Sequence, residues 1–173
     1  FTAFDLDKPG ASPMLMDPSI NGVAALGRID KAGLKTLKQY FRYVAYTGLN
    51  EINAKYDQIL CSGYQASITA VEHLIGLGHR HIGYIGETDN ETRYNGYKDT
   101  LEKHRLPCNA TYVSSVPQTS GGGLKGALQL LERQPLITAI FCSNDVTAIG
   151  AMRAIRDRGL KIPRDISVIS IDD

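Results

Sequence analysis

Apolar and polar residues alternate in blocks along the second half of the chain, and each block has the period of a buried strand or of a helix. Residues 137–142 form a short apolar run with β-branched and aromatic side chains, as buried strands do. From Val146, apolar residues recur at intervals of three, which predicts a helix that ends near Gly159. Residues 166–171 form a second buried strand. The run therefore predicts a βαβ unit with parallel strands.

The same alternation extends back to Gln65 and predicts the order αβαβαβαβ from that residue onwards. The additional helices and strands are expected at 65–77, 81–86, 93–104, 111–116 and 122–133. The pattern before Gln65 is weaker. It predicts a connection at 1–18, a strand at 20–27 and a helix at 30–40 that is capped by Asp30. A second strand is expected at 43–46, and a weak strand or loop at 59–63.

Composition narrows the class of protein. The chain has 173 residues, of which 43% are hydrophobic and 21% charged, as in ordinary globular proteins. A net charge of +1 gives no reason to expect nucleic acid or a membrane surface as a direct partner. The apolar stretches fall short of the roughly 20 residues that span a membrane. Three scattered cysteines predict neither a disulfide framework nor a zinc site, so we expect a cytoplasmic protein.

Polar side chains follow the predicted parallel strands at their carboxyl ends, where such sheets bind ligands. Arg93, Asn144 and Asp172 each follow a different strand. A guanidinium can donate to two adjacent hydroxyls, an aspartate can accept two hydroxyl protons, and an asparagine amide can do either. These three residues predict a cleft for a neutral polyol. In the alternative interpretation, Asn144 and Asp145 only cap a helix, and Arg93 pairs with Asp172.

Two further motifs predict cofactor or metal chemistry only weakly. Residues 121–126 match G-x-G-x-x-G, but four residues separate the preceding strand from the first glycine. A flexible loop with a helix start is therefore a better interpretation than a dinucleotide site. His73, His79 and His81 have no cysteine or carboxylate positioned with them, so we predict no metal site and no cofactor.

Catalytic motifs are equally weak. Ser143 and Ser170 lack the nucleophile-elbow motif of serine hydrolases. Glu87, Asp89 and Glu91 are expected to form a solvated acidic loop and not a catalytic carboxylate pair. The sequence therefore favours a binding protein over an enzyme.

Four blocks of sequence resemble the effector domain of the LacI/GalR (lactose-repressor) family of bacterial transcription regulators. They stand in the order and at the spacing of that family, and they read AVEHLIGLGHRHIGYI at 70–85, RYNGY at 93–97, TAIFCSND with AIGAM at 138–152, and IPRDISVISIDD at 162–173. The resemblance covers residues 59–173 well and 20–58 loosely. It implies an α/β fold of the type I periplasmic-binding-protein kind, with two doubly wound, parallel-sheet lobes hinged around an effector.

On this resemblance, residues 1–80 belong to an incomplete first lobe and residues 81–173 to the second. Ser62 stands where the family commonly has an aspartate, which weakens any assignment of ligand contacts to the first lobe. Asp145 is expected to orient its turn. The ligand-binding set implied by the resemblance is Arg93, Asn144, Asp172, Asp145 and Ser62.

The resemblance also implies partners. Ile149 and Met152 lie on a helix near the family's subunit interface, so they would pack against a second copy in a homodimer. Operator DNA would be bound only through a helix-turn-helix that this sequence does not contain. A small sugar or sugar derivative is the expected effector, and a purine or protein corepressor is an alternative. A sugar receptor of a transport system and an α/β enzyme are the competing classes.

Overall fold

The computed structural model of the chain describes residues 17–26, 29, 31–48 and 56–172. Asp30, the predicted helix cap, and Asp173, the last residue of the block at 162–173, lie outside these residues. Contacts divide the chain between Ser62 and Gly63 into two compact units. The lobe boundary expected between residues 80 and 81 stays a prediction.

The first unit contains a parallel sheet of three strands and one helix. Leu34 and Leu37 of the helix are buried in one cluster with Val44 and Tyr46 of the sheet. The strands pair in the order β1-β2-β3. Both predicted strands and the helix are confirmed, and the weak strand or loop expected at 59–63 is a strand that begins earlier, at Asp57. The elements are β1 (Gly22–Leu26), α1 (Lys31–Tyr40), β2 (Tyr43–Gly48) and β3 (Asp57–Leu60).

The second unit contains a parallel sheet of four strands in the order β5-β4-β6-β7. The predicted αβαβαβαβ order is confirmed, with strands shorter than the apolar runs that predicted them. A 3-10 turn, Ala110–Tyr112, precedes β5. The elements are α2 (Gly63–Gly76), β4 (Ile82–Gly86), α3 (Thr92–Lys103), β5 (Val113–Ser115), α4 (Ser120–Arg133), β6 (Ala139–Cys142), α5 (Asp145–Asp157) and β7 (Ser167–Ile169).

Helices cover both faces of this second sheet. α2 and α3 pack together over one face, and α4 and α5 over the other. In β6, Ala139 and Phe141 belong to the core formed with α2 and α3, while Ile140 and Cys142 belong to the core formed with α4 and α5. All four are fully buried. This two-sided burial explains why the strand is continuously apolar in sequence instead of alternating.

α4 and α5 approach each other closely because each has a glycine at the contact. A Cβ atom on Gly123 would overlap the carbonyl oxygen of Thr147, and one on Gly150 would overlap that of Ser120. Residues 121–126 therefore belong to the first turns of α4: the helix start predicted there is confirmed, and the flexible loop is wrong. Among the described residues, no helix combines the length and the apolar character needed to cross a lipid bilayer.

Candidate ligand-binding site

The carboxyl ends of β4, β5, β6 and β7 lie at one edge of the second sheet, since all four strands are parallel. The chain leaving β4 reaches Arg93, and the chain leaving β5 reaches Gln118. β6 leads to Asn144 and Asp145, and β7 leads to Asp172. β4 has β5 on one side and β6 on the other, so the chain changes direction there. Such a switch point is where doubly wound sheets bind ligands.

Arg93 is buried beneath this edge, with only 1% of its surface exposed. Its Nε and Nη2 atoms donate to the two carboxylate oxygens of Glu91, each at 2.8 Å. Nη1 donates to the carbonyl oxygen of Ser143 at 2.6 Å, and Nη2 also donates to the side-chain oxygen of Gln118 at 2.9 Å. These hydrogen bonds use four of the five guanidinium N–H groups and leave one N–H on Nη1.

Glu91 corrects the expectation of a solvated acidic loop at 87–91. Glu91 is 4% exposed, and it caps α3 by accepting the backbone N–H of Arg93 at 3.0 Å. Burial alone would raise the pKa of Glu91, but hydrogen bonds from Arg93 and its positive charge hold that pKa below its usual range. Arg93 thus pairs with Glu91 and not with Asp172. Asp89 is exposed, as expected.

Gln118 connects three members of the site. Its side-chain oxygen accepts from Arg93, as above, and from Nδ2 of Asn144 at 3.4 Å, while its Nε2 donates to Glu91 at 2.8 Å. Neither Gln118 nor Glu91 is predicted as a site residue from the sequence. Gln118 follows the predicted strand at 111–116, so the rule that found the other residues also applies to it. Glu91 has a weaker signal, which is a carboxylate two residues before an arginine at a helix start.

Asn144 caps α5, as the sequence predicts. Its Oδ1 accepts the backbone N–H of Thr147 at 3.0 Å and the hydroxyl of Thr147 at 2.6 Å. The bond from its Nδ2 to Gln118 is long by comparison. Asp145 accepts a hydrogen bond from the hydroxyl of Ser170, which joins the start of α5 to the segment after β7. Asn144 therefore has its oxygen engaged, and its amide nitrogen is the group suited to a ligand.

Asp172 is the exposed carboxylate of the site. Its φ of 135° is a conformation that favours glycine, and such backbone strain concentrates at functional sites. Partial loss of hydration raises the pKa of Asp172, the negative charge of Asp145 raises it further, and the positive charge of Arg93 opposes both. Arg93 and Asp145 therefore both lie within electrostatic range of Asp172.

The other candidates do not join this cluster. His79 contacts the hydroxyls of Thr138 and Ser167 through Nδ1 and Nε2, at 2.9 and 3.1 Å, at the amino edge of the sheet. His81 contacts the hydroxyl of Tyr112 at 2.6 Å at the same edge. Within the described ranges, no group of three or more His, Cys, Asp or Glu residues is arranged to hold a metal ion.

The remaining predicted residues lie at the surface. Ser62 is exposed and directly precedes α2 along the chain. On α5, Val146 and Ile149 are 49% and 63% exposed, and Met152 is half-buried. These three are spaced by three residues, so they share one side of the helix. The ligand role of Ser62 and the interface role of Ile149 and Met152 stay predictions.

Comparison with known proteins identifies the kind of domain. Residues 71–173 match the family model described as a periplasmic binding protein-like domain. The chain is 39% identical over 119 residues to the HTH-type transcriptional regulator AscG of Escherichia coli, covering 66% of this chain and 35% of AscG. It is 36% identical over 129 residues to the ribose operon repressor of Haemophilus influenzae, covering 71% and 38%. The matched part thus spans little more than a third of each relative.

A solved structure agrees with this assignment. The regulatory protein of the LacI family from Chloroflexus aggregans superimposes with a TM-score of 0.77 and 30% sequence identity, covering 100% of this chain and 64% of that one. The chain therefore belongs to the family of periplasmic binding protein-like domains, in the form found in LacI-family transcriptional regulators.

Proposed function

We propose that this domain binds a small hydroxylated effector, a sugar or a sugar derivative, as the effector-sensing part of a LacI/GalR-type DNA-binding regulator. The observation that carries the proposal is the convergence of Arg93, Asn144, Asp145 and Asp172 on one edge of a single sheet. Relatives named as a transcriptional regulator and as a ribose operon repressor support the class of protein and the class of effector.

The hydrogen-bonding groups left available in the cluster fit hydroxyls. The carboxylate of Asp172 accepts two hydroxyl protons, Nδ2 of Asn144 donates one hydrogen bond, and the last N–H on Nη1 of Arg93 donates another. Because Glu91 occupies the fork of Arg93, the arginine offers one N–H and not the pair that the sequence suggested. A site of this kind discriminates against ligands that lack hydroxyls, since its own polar groups would be left unpaired.

In the whole protein, effector binding acts by selecting one arrangement of two lobes. The difference in affinity between the arrangements shifts the attached DNA-binding region, which is the part that contacts operator DNA. Ile149 and Met152, with Val146 beside them, form the apolar side of α5 that packs against a second copy in a homodimer. In this proposal the effector is bound and released without chemical change, so the protein is not an enzyme. The proposed location of the protein is the cytoplasm.

The test is a thermal-shift screen of the full-length protein against mono- and disaccharides and purines. We expect a sugar to raise the melting temperature, and Asp172→Asn to abolish that rise. The matched control is Asp157→Asn, an exposed aspartate at the other end of α5 that pairs only at the surface with Arg153. An undiminished shift in Asp172→Asn would remove this residue from the site. A shift with purines alone would replace the sugar with a purine corepressor.

A further inference from the structure

An arginine at a binding edge usually attracts an anion, but here the anion-binding side of the guanidinium is already filled. Nε and Nη2 of Arg93 donate in parallel to the two oxygens of Glu91 at 2.8 Å. This bidentate geometry is how an arginine grips the carboxylate or phosphate of a ligand. Glu91 therefore occupies, from within the same chain, the position that an anionic ligand group would take.

Glu91 is fixed in that position. It is 4% exposed, its two oxygens also accept the backbone N–H of Arg93 and the amide of Gln118, and it caps α3. The arginine is fixed as well, because Ser67 of α2 donates to the backbone carbonyl of Arg93 at 2.6 Å. Moving Glu91 aside would leave a buried guanidinium without its counter-charge, which is strongly unfavourable. An anionic ligand thus has to displace a buried carboxylate to reach the fork.

The other charged groups of the described cluster, Asp145 and Asp172, are also negative. With Arg93 compensated by Glu91, the carboxylates of Asp145 and Asp172 carry the uncompensated charge of the cluster. The pKa of Asp172 is already raised, in part by Asp145, so even the charge of Asp172 is unfavourable where it stands. The positive N-terminal ends of α3 and α5 carry their own carboxylates, Glu91 and Asp145. A further negative charge placed beside Asp145 and Asp172 would be repelled by them.

We infer that Glu91 determines the charge selectivity of the site, so that the effector is a neutral hydroxylated molecule, and uronates and sugar phosphates are rejected. This inference rests on the proposed function, because it specifies the ligand of the same site. It assigns the selectivity to a residue that does not touch the ligand but controls what Arg93 can bind.

The experiment measures matched pairs of ligands by calorimetry on the full-length protein. The pairs are galactose with galacturonate, glucose with glucose 6-phosphate, and ribose with ribose 5-phosphate. For the pair whose neutral member binds, we expect the anionic member to bind more weakly by about tenfold or more, as one unfavourable charge pair at a partly exposed site implies. Raising the salt concentration should narrow this difference, because salt screens the repulsion.

Glu91→Gln removes the charge and keeps the length of the side chain. We expect it to improve binding of the anionic member relative to the neutral one by about tenfold. Glu102→Gln is the matched control, since Glu102 is an exposed glutamate near the other end of α3. Circular dichroism verifies that each variant is folded. If Glu91→Gln fails to fold, the inference is tested on the unaltered protein, by the ratio of its affinities for the neutral and the anionic member and by the salt dependence of that ratio.

Different results would overturn the proposed function and the inference about Glu91. If neutral sugars bind and depend on Asp172, but their anionic partners bind equally well or better, the inference about Glu91 is overturned and the proposed function stands. The inference would also be overturned if folded Glu91→Gln showed the same ratio of affinities for the neutral and the anionic member as the unaltered protein. If neither neutral nor anionic sugars bind, the proposed function falls and the inference falls with it.

Discussion

The two edges of the second sheet use polar side chains in opposite ways. At the amino edge, His79 joins the hydroxyls of Thr138 and Ser167, and burial lowers the pKa of His79, so that a neutral ring meets neutral partners. At the carboxyl edge, a buried ion pair of Arg93 and Glu91 accompanies the exposed carboxylate of Asp172. The polar groups at the amino edge hydrogen-bond to one another and thereby stabilise the fold. The carboxyl edge buries charge and presents an unshared acceptor to solvent, which is what a binding site needs.

The largest effect is expected at the buried ion pair. Glu91→Ala leaves the guanidinium of Arg93 uncompensated and should lower the free energy of unfolding by about 3–5 kcal/mol. Urea denaturation measures this loss. Glu102→Ala, at an exposed position of the same helix, should change the free energy by less than about 0.5 kcal/mol. A comparably small loss in Glu91→Ala would mean that Arg93 is hydrated and that the two edges do not differ in buried charge.

The next effect concerns the helices that carry the carboxyl edge. Gly123→Ala places a methyl group against the backbone of Thr147 and should cost about 1–3 kcal/mol. Since this contact lies between the N-terminal turns of α4 and α5, the variant should also weaken ligand binding. Gly121→Ala is the control, because a Cβ there meets nothing within 4 Å and alanine favours the helix. Equal melting temperatures for the two variants would contradict the close contact.

A smaller effect is expected at the amino edge. His79→Ala removes the contacts to Thr138 and Ser167 and should lower the free energy of unfolding by about 1 kcal/mol. Ligand affinity should not change, because the carboxyl edge lies at the other end of the strands. His73→Ala, at an exposed position of α2, is the control. A loss of ligand affinity in His79→Ala would show that the edges are not independent.

The smallest effect is a pH dependence of Asp172. Its pKa is raised above the usual 3.8, so the carboxylate needed for hydroxyl binding is lost at a higher pH than for an ordinary aspartate. Ligand affinity should therefore fall as the pH decreases through this raised pKa. The stability of the fold depends on pH in the opposite direction. The folded state holds the proton of Asp172 more tightly than the unfolded state does, so the contribution of Asp172 to the free energy of unfolding is present below pH 3.8. This contribution is lost as the pH rises through the folded-state pKa. Titration calorimetry measures the first dependence and denaturation the second, with Asp172→Asn as the variant whose stability should lack this pH dependence.

The sequence could predict the second unit because its helices and strands have clear hydrophobic periods. Once the strands are parallel, their carboxyl ends must lie at one edge of the sheet. The apolar runs located the strands, and their parallel order brought Arg93, Asn144 and Asp172 to one edge. The cap at Asn144 followed from the residue type at a helix start. None of these steps required knowledge of a side-chain contact between distant segments.

The sequence could not predict the partners within the site. Acidic residues in a polar loop are usually solvated, and nothing in the period of the sequence distinguishes Glu91, which is buried, from Asp89, which is exposed. The difference arises only when α3 docks and the carboxylate meets Arg93 and Gln118. β3 was weakly predicted for a related reason: Ile59 is 73% exposed, so the strand lacks the buried pattern that identifies the others.

The most direct test of the central claim is a crystal structure of the full-length protein with a neutral sugar that stabilises it. We expect sugar hydroxyls within hydrogen-bond distance of the carboxylate of Asp172, of Nδ2 of Asn144 and of Nη1 of Arg93, with the ion pair between Arg93 and Glu91 intact. A sugar bound away from the carboxyl edge of the second sheet, or one that displaces Glu91 from Arg93, would contradict it.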